Sequence, residues 1–180
     1  MKIVIDTCVL YPTVMREMVL GVARAGHFTP VWSARILEEW ARAAVKLGPQ
    51  GEAQARAEIA MLRGAWPAAE CPAAPGLEQR LWLPDAADIH VLAVAVASSA
   101  DAIMTLNARD FPRRALEEQG LGRLDPDGYL HRLWQVDPDG VGAVAQRVLN
   151  DARRLSSDNW DMRPLLKKAR LPRLAKALAT

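Results

Sequence analysis

Four acidic side chains, Asp6, Glu39, Asp88 and Asp110, carry the clearest capacity for chemistry in this sequence. Three or four carboxylates brought to one place repel, and without a counter-charge some must hold protons at raised pKa values. A hard divalent cation relieves that repulsion. Mg²⁺ or Mn²⁺ takes oxygen ligands in an octahedron and keeps several waters. Such waters can attack a phosphodiester while the cation offsets charge developing on the phosphate. Other chemistries lack their residues. His27, His90 and His131 are scattered, and no Cys or His pair has zinc-ligand spacing. A phosphatase loop from Cys8 would need Arg at position 14, where Val14 stands, so Cys8 reads as a small buried thiol. No Gly-rich phosphate loop and no Ser/His/Asp signature is present.

The acids need elements that bring them together. Lys2-Ile3-Val4-Ile5 is a short β-branched run that stops at Asp6, the pattern of a buried strand. Pro12 suits the first turn of a helix running to about Ala25 and ended by Gly26. Phe28 to Trp32 reads as a second strand. Ser33 is placed to cap a helix with Ile36, Leu37, Trp40, Ala44 and Leu47 at helical spacing, ended by Gly48 and Pro49. A further helix is expected over 52–66 and a Pro- and Ala-rich loop over 67–76. Asp85 can cap an apolar, central helix over 86–99, with Asp88 in its first turn. Ala102 to Leu106 reads as a buried strand, with Asp110 four residues beyond it. A helix over 112–119, a last strand at Arg123-Leu124, and a helix opened by Asp125-Pro126-Asp127 and running to about Gln135 follow. Asp137-Pro138-Asp139-Gly140 is a turn and a helix start, and two basic helices over 141–155 and 164–178 finish the chain. Strands alternating with helices imply a parallel α/β sheet with helices on both faces. Ligands bind beyond the carboxyl ends of such strands, where Asp6, Asp88 and Asp110 fall, with Glu39 one turn inside its helix.

Each acid also has a plain structural reading. Asp6 could end a strand or cap a helix, and Asp88 could favour a helix N-terminus electrostatically, beside Asp85 as the cap. Asp110 could be a turn residue. Glu38 and Glu39 could pair with Arg35 or Arg42. Glu39 shares its helix face with Ile36 and Ala43, and is preferred to Glu38 for that reason. Thr105 and Asn107 flank a strand end and could hydrogen-bond a carboxylate or water, or simply build the turn. Arg16 could reach the site from the first long helix, with a surface salt bridge as the alternative. Arg35, Arg42, Lys46, Arg109, Arg113 and Arg114 are candidates for phosphate contacts, or ordinary surface charges.

The chain has 180 residues, 51% hydrophobic and 24% charged, which allows a sizeable core and argues against disorder. Two cysteines cannot build a disulfide framework, and a reducing cytoplasm fits best. Asp6 breaks the first apolar run, so no targeting segment is expected. The longest strictly apolar run, Val91 to Ala97, is far short of the roughly 20 residues that span a bilayer. Net charge is +2, unevenly spread. Residues 1–136 hold 14 Lys and Arg against 16 Asp and Glu, and residues 137–180 hold 9 against 5. The boundary of the core is placed there, with 137–180 as a basic helical extension. That extension is either a solvated face or a docking surface for RNA or an acidic partner.

Four segments in order also resemble the PIN-domain nucleases, in particular the VapC-like toxins of bacterial toxin–antitoxin pairs. These are Ile5-Asp6-Thr7-Cys8-Val9-Leu10-Tyr11-Pro12, Trp32-Ser33 through Ile36-Leu37-Glu38-Glu39-Trp40, Leu83-Pro84-Asp85-Ala86-Ala87-Asp88-Ile89-His90-Val91-Leu92-Ala93, and Thr105-Leu106-Asn107-Ala108-Arg109-Asp110-Phe111-Pro112. The resemblance covers about residues 1–135. It implies a PIN-like parallel sheet flanked by helices, a Mg²⁺- or Mn²⁺-dependent ribonuclease, and Asp6, Glu39, Asp88 and Asp110 as the acidic, metal-holding quartet. It also implies Arg16 as a family arginine, an RNA substrate, a small antitoxin protein as partner, and a homodimer. The sequence departs from many relatives in having Cys8 where they have Asn, and Ala87 where they often carry an acid. The helical tail from Asp137 matches an extension in some relatives. The rival reading is a catalytically silent PIN-fold module that binds RNA or protein.

Overall fold

The computed structural model describes residues 1–179. Its first element, β1 (Lys2–Ile5), is buried at Ile3, Val4 and Ile5, as its β-branched composition requires. A one-turn helix, α1 (Thr7–Leu10), follows, and then α2 (Thr13–Arg24). Next come β2 (Thr29–Val31), α3 (Ala34–Ala43) with a 3₁₀ turn over Ala44–Leu47, α4 (Gly51–Ala65) and a short α5 (Pro75–Glu78). A 3₁₀ turn at Ala86–Asp88 leads into α6 (Ile89–Ala97), and then β3 (Ala102–Met104), α7 (Arg113–Glu117) and β4 (Gly122–Leu124). The helices α8 (Pro126–Val136), α9 (Pro138–Leu155), α10 (Met162–Lys168) and α11 (Pro172–Ala177) complete the order.

The four strands form a parallel sheet in the order β2-β1-β3-β4, flanked by helices, in keeping with the α/β class expected from the sequence. β1 lies centrally: Val4 is in register with Val31 on one side and Ile103 on the other. Beyond the last paired residue, Asp6 N–H donates to the Met104 carbonyl at 3.1 Å, so the backbone is held up to the first acid. Two compact units emerge. One comprises Met1–Tyr11 with Thr29–Arg123, and the other Pro12–Phe28 with Leu124 onward.

In the first unit Ile3, Ile5, Trp32, Ile36, Leu37, Leu92, Ile103 and Phe111 are essentially inaccessible. Each such side chain contributes roughly 1.5–3 kcal/mol on burial, before ordering costs. α6 is buried at every position from His90 to Ala95, which explains its lack of a polar face. In the second unit α2 packs on α9, where Gly21 allows a close approach: a Cβ there would collide with Val144. Phe28 and Tyr129 meet edge-on, with ring centroids 5.7 Å apart. Asp127, buried on α8, accepts from Arg173 N and Leu174 N at the start of α11, at 3.0 and 3.1 Å.

Two local expectations differ from the structure. The single helix expected over 164–178 is two, because Pro172 has no N–H to donate and disfavours helical backbone at Leu171. Arg170 turns the chain between them with φ of 63°. The expected loop over 67–76 ends inside α5, and Glu70 forms a parallel bridge with Trp32. Among the described residues, no helix is long and apolar enough to cross a membrane.

Candidate metal centre

Asp6 stands at the turn from β1 into α1 and is 7% exposed. A carboxylate this buried needs donors, and it has three. Thr7 N–H donates to Oδ1 at 2.7 Å, while the Thr105 hydroxyl and the Cys8 thiol donate to Oδ2 at 2.7 and 3.1 Å. Thr105 is oriented in turn by Asn107 N–H, which donates to its Oγ1 at 2.9 Å. Burial, and then the Asp6 charge, push the Cys8 thiol up to about 12. It therefore stays protonated and acts as a donor rather than a nucleophile or a metal-binding thiolate.

Asp88 lies at the end of the 3₁₀ turn that opens α6. Its carboxyl is raised to about 6, first by burial and then by the charges of Asp6, Asp85, Asp110 and Glu39. Four carboxylates thus act on Asp88. Asp85, Asp88 and Asp110 each offer an oxygen, all within 4.8 Å of one another. Asp110 is held by Asn107, whose Nδ2 donates to its Oδ2 at 2.6 Å. The donor set is entirely carboxylate oxygen, and at Asp88 burial and then the neighbouring charges raise the proton affinity. Such a set fits a hard divalent cation and offers nothing to a soft one.

Glu39 projects from α3, whose N-terminus is capped by Ser33 Oγ accepting from Ile36 N–H at 3.2 Å. Its Oε1 is 2.8 Å from His90 Nε2 and 3.6 Å from Arg35, and its Oε2 is 3.1 Å from Thr7 Oγ1. Burial raises this carboxyl, but His90, Thr7 and Arg35 outweigh that and hold it below its usual value. Glu38 turns the other way, to Arg56 and Arg42. A groove beside Glu39 is lined by Ala34, Arg35, Glu38, Arg42 and Arg63.

Of the predicted residues, the structure brings Asp88 and Asp110 together, with Asp85, in one carboxylate group of the first unit; Asp6, Thr105, Asn107 and Glu39 are outside that group and adjoin it through hydrogen bonds and through charge on Asp88. Arg109 is exposed on the Asp110 loop. Arg16 lies on α2 in the second unit, 5% exposed, and forms an ion pair with the exposed Glu17 at 3.7 Å. Two members escaped sequence reasoning. Asp85 caps the 3₁₀ turn by accepting from Ala87 N–H at 2.9 Å, as expected, but it also shares the carboxylate group. Its spacing of three from Asp88 was a usable signal. His90, fully buried behind Glu39, had none, because the two residues are distant in sequence.

A family model described as the PIN domain matches residues 2–109. No curated protein and no solved structure gives a match. PIN domains are generally nucleases and typically use divalent metals, in keeping with the carboxylate group described above. The match spans more than half of the sequence, and the chain belongs to the PIN-domain family.

Proposed function

We propose that this protein is a Mg²⁺- or Mn²⁺-dependent endoribonuclease and the toxin of a type II toxin–antitoxin pair. The observation that carries the enzymatic reading is the Asp85, Asp88 and Asp110 oxygens within 4.8 Å of one another, with Asp88 raised to about 6 by burial and then by its neighbours. Carboxylates so crowded have little structural purpose and are costly without a cation. Asp6, Asp88 and Asp110 would hold the metal with Glu39, and Asp85 would add its charge. When bound, the cation supplies charge neutralisation at the scissile phosphate and lowers the pKa of water.

The chain's own groups do the rest. Thr105, Cys8 and Thr7 N–H fix the Asp6 carboxylate, and Asn107 fixes that of Asp110. Glu39, kept ionised by His90, Thr7 and Arg35, is suited to orient a water or take its proton. Arg35, Arg42 and Arg63 in the adjoining groove can meet phosphate oxygens, and Arg109 stands ready beside Asp110. Arg16 is retained from the resemblance as a substrate-binding residue. The toxin role, the small antitoxin partner and the homodimer are supported by the four motif segments alone, and a cytoplasmic setting by two cysteines too few for a disulfide framework.

The test is cleavage of labelled structured RNA with Mg²⁺, Mn²⁺ or EDTA, beside Asp6→Asn and Asp88→Asn. Turnover should need the cation, and each substitution should lower it by at least about 10²-fold. Cleavage that survives chelation, or RNA binding with no turnover under any condition, would overturn the reading in favour of a silent binding module. Growth arrest on expression, relieved by co-expressing a small adjacent reading frame, checks the toxin assignment.

A further inference from the structure

We infer that the exposed face of α10 and α11 is a phosphate-backbone docking surface, which anchors a nucleic-acid strand independently of the carboxylate centre. The inference rests on the ribonuclease reading for the identity of the strand, and on charge placement for its location.

Arg163, Lys167, Lys168, Arg170, Arg173 and Lys176 are all exposed, and no acid stands in the sequence after Met162. None of the six side chains has a carboxylate partner among the described residues; Lys168 instead lies 4.8 Å over the Trp160 ring. Five cations of the first unit are neutralised instead. There Arg35, Arg42, Arg56, Arg63 and Arg114 are each paired with a glutamate. That unit carries 11 Lys and Arg against 13 Asp and Glu, while the second carries 12 against 8.

A carboxylate centre on a net-negative unit repels the polyanion it is to cleave. Attraction over a Debye length, about 8 Å at physiological salt, must come from unneutralised cations. The two short helices supply them. Their buried sides, Leu165, Leu166, Leu171, Leu174 and Ala175, fix the backbone, and the Asp127 contacts to Arg173 N and Leu174 N hold α11 in place. The cationic side chains are therefore presented on ordered elements. An acidic protein is the competing occupant. A nucleic acid is favoured because six cations fall within residues 163–176 with no large hydrophobic side chain exposed among them, which matches a uniform phosphate chain better than a protein surface.

The test uses the full chain in EDTA, so that binding is read without turnover. Affinity for a labelled single-stranded RNA is measured by fluorescence anisotropy between roughly 50 and 200 mM salt, where each phosphate contact contributes about −0.7 to the slope of log K against log salt on single strands. Arg163→Gln, Lys167→Gln, Arg173→Gln and Lys176→Gln combined should reduce that slope by close to 3. Lys167→Arg with Lys176→Arg should leave it unchanged. An unaltered slope in the fourfold variant, loss of the slope in the charge-preserving pair, or no RNA binding by the native chain would overturn the inference. So would polyglutamate competing as well as unlabelled RNA, which would assign the surface to an acidic protein. Failure of the ribonuclease reading shows separately, as intact RNA in Mg²⁺ or Mn²⁺.

Discussion

Asp88 concentrates the electrostatic conflict of the site into one side chain. Its folded carboxyl titrates at about 6, against 3.8 ordinarily, because burial and four neighbouring acids disfavour its charge. A raised carboxyl means that the folded chain binds the proton more tightly than the unfolded one. Stability therefore falls as pH rises from 3.8 to about 6, and the cost is fully present above that. In EDTA at pH 8, Asp88→Asn should stabilise the protein. Discounted for partial exposure, the gain is on the order of 1 kcal/mol, or about 2–4 °C in Tm. Near pH 4 the native Asp88 is largely protonated and the gain should vanish. Added Mn²⁺ should reverse the order, because only the native carboxylate is compensated. Calorimetric melts at the two pH values, with and without Mn²⁺, check all three statements. A variant less stable than the native chain at pH 8 in EDTA would show that Asp88 is satisfied by neighbours rather than strained by them.

At the scale of elements, α11 depends on a residue of another helix. Its six residues are too few to be stable alone. Asp127 satisfies two of its N–H groups and is only 8% exposed. Asp127→Ala leaves both amides without acceptors, which should cost about 1–3 kcal/mol. Hydrogen exchange at Arg173 and Leu174 should accelerate more than exchange in β1. Unchanged protection there would place the stability of α11 in its leucines instead. This contact also marks how far the sequence could be read. β1, the Ser33 cap, and the helix stops at Gly26 and Gly48 were legible because their causes are local; both glycines have positive φ. α1 was not, since four residues show no period, although helix capping was one reading of Asp6. The α10–α11 break has a local cause in Pro172, which the reading of one helix over 164–178 leaves out. Within the site, same-face neighbours separated Glu39 from Glu38. The His90 contact and the sharing of Asp85 arise only when distant segments fold together, so no spacing rule could reach them.

For the whole molecule, the two compact units divide the charge, and a divalent cation should act on only one of them. A ligand that binds the folded state alone stabilises it by RT ln(1 + [L]/Kd), about 2.7 kcal/mol at a hundredfold excess over Kd. With two units a single Tm need not describe unfolding, so the response is better read segment by segment. Mn²⁺ should slow hydrogen exchange around Asp6 and Thr7, over 85–91 and over 105–111, where the carboxylates and their hydroxyl and amide partners lie. Exchange over 162–177 should not respond, because that region carries cations and no acid. Monovalent salt at equal ionic strength should not reproduce the pattern, since screening relieves exposed pairs more than a half-buried cluster. Protection spread equally over both units would mean that the ion is held by diffuse charge. Protection confined to the first unit would mean that the crowded carboxylates, which destabilise the fold when alone, are the feature that makes it responsive to a metal.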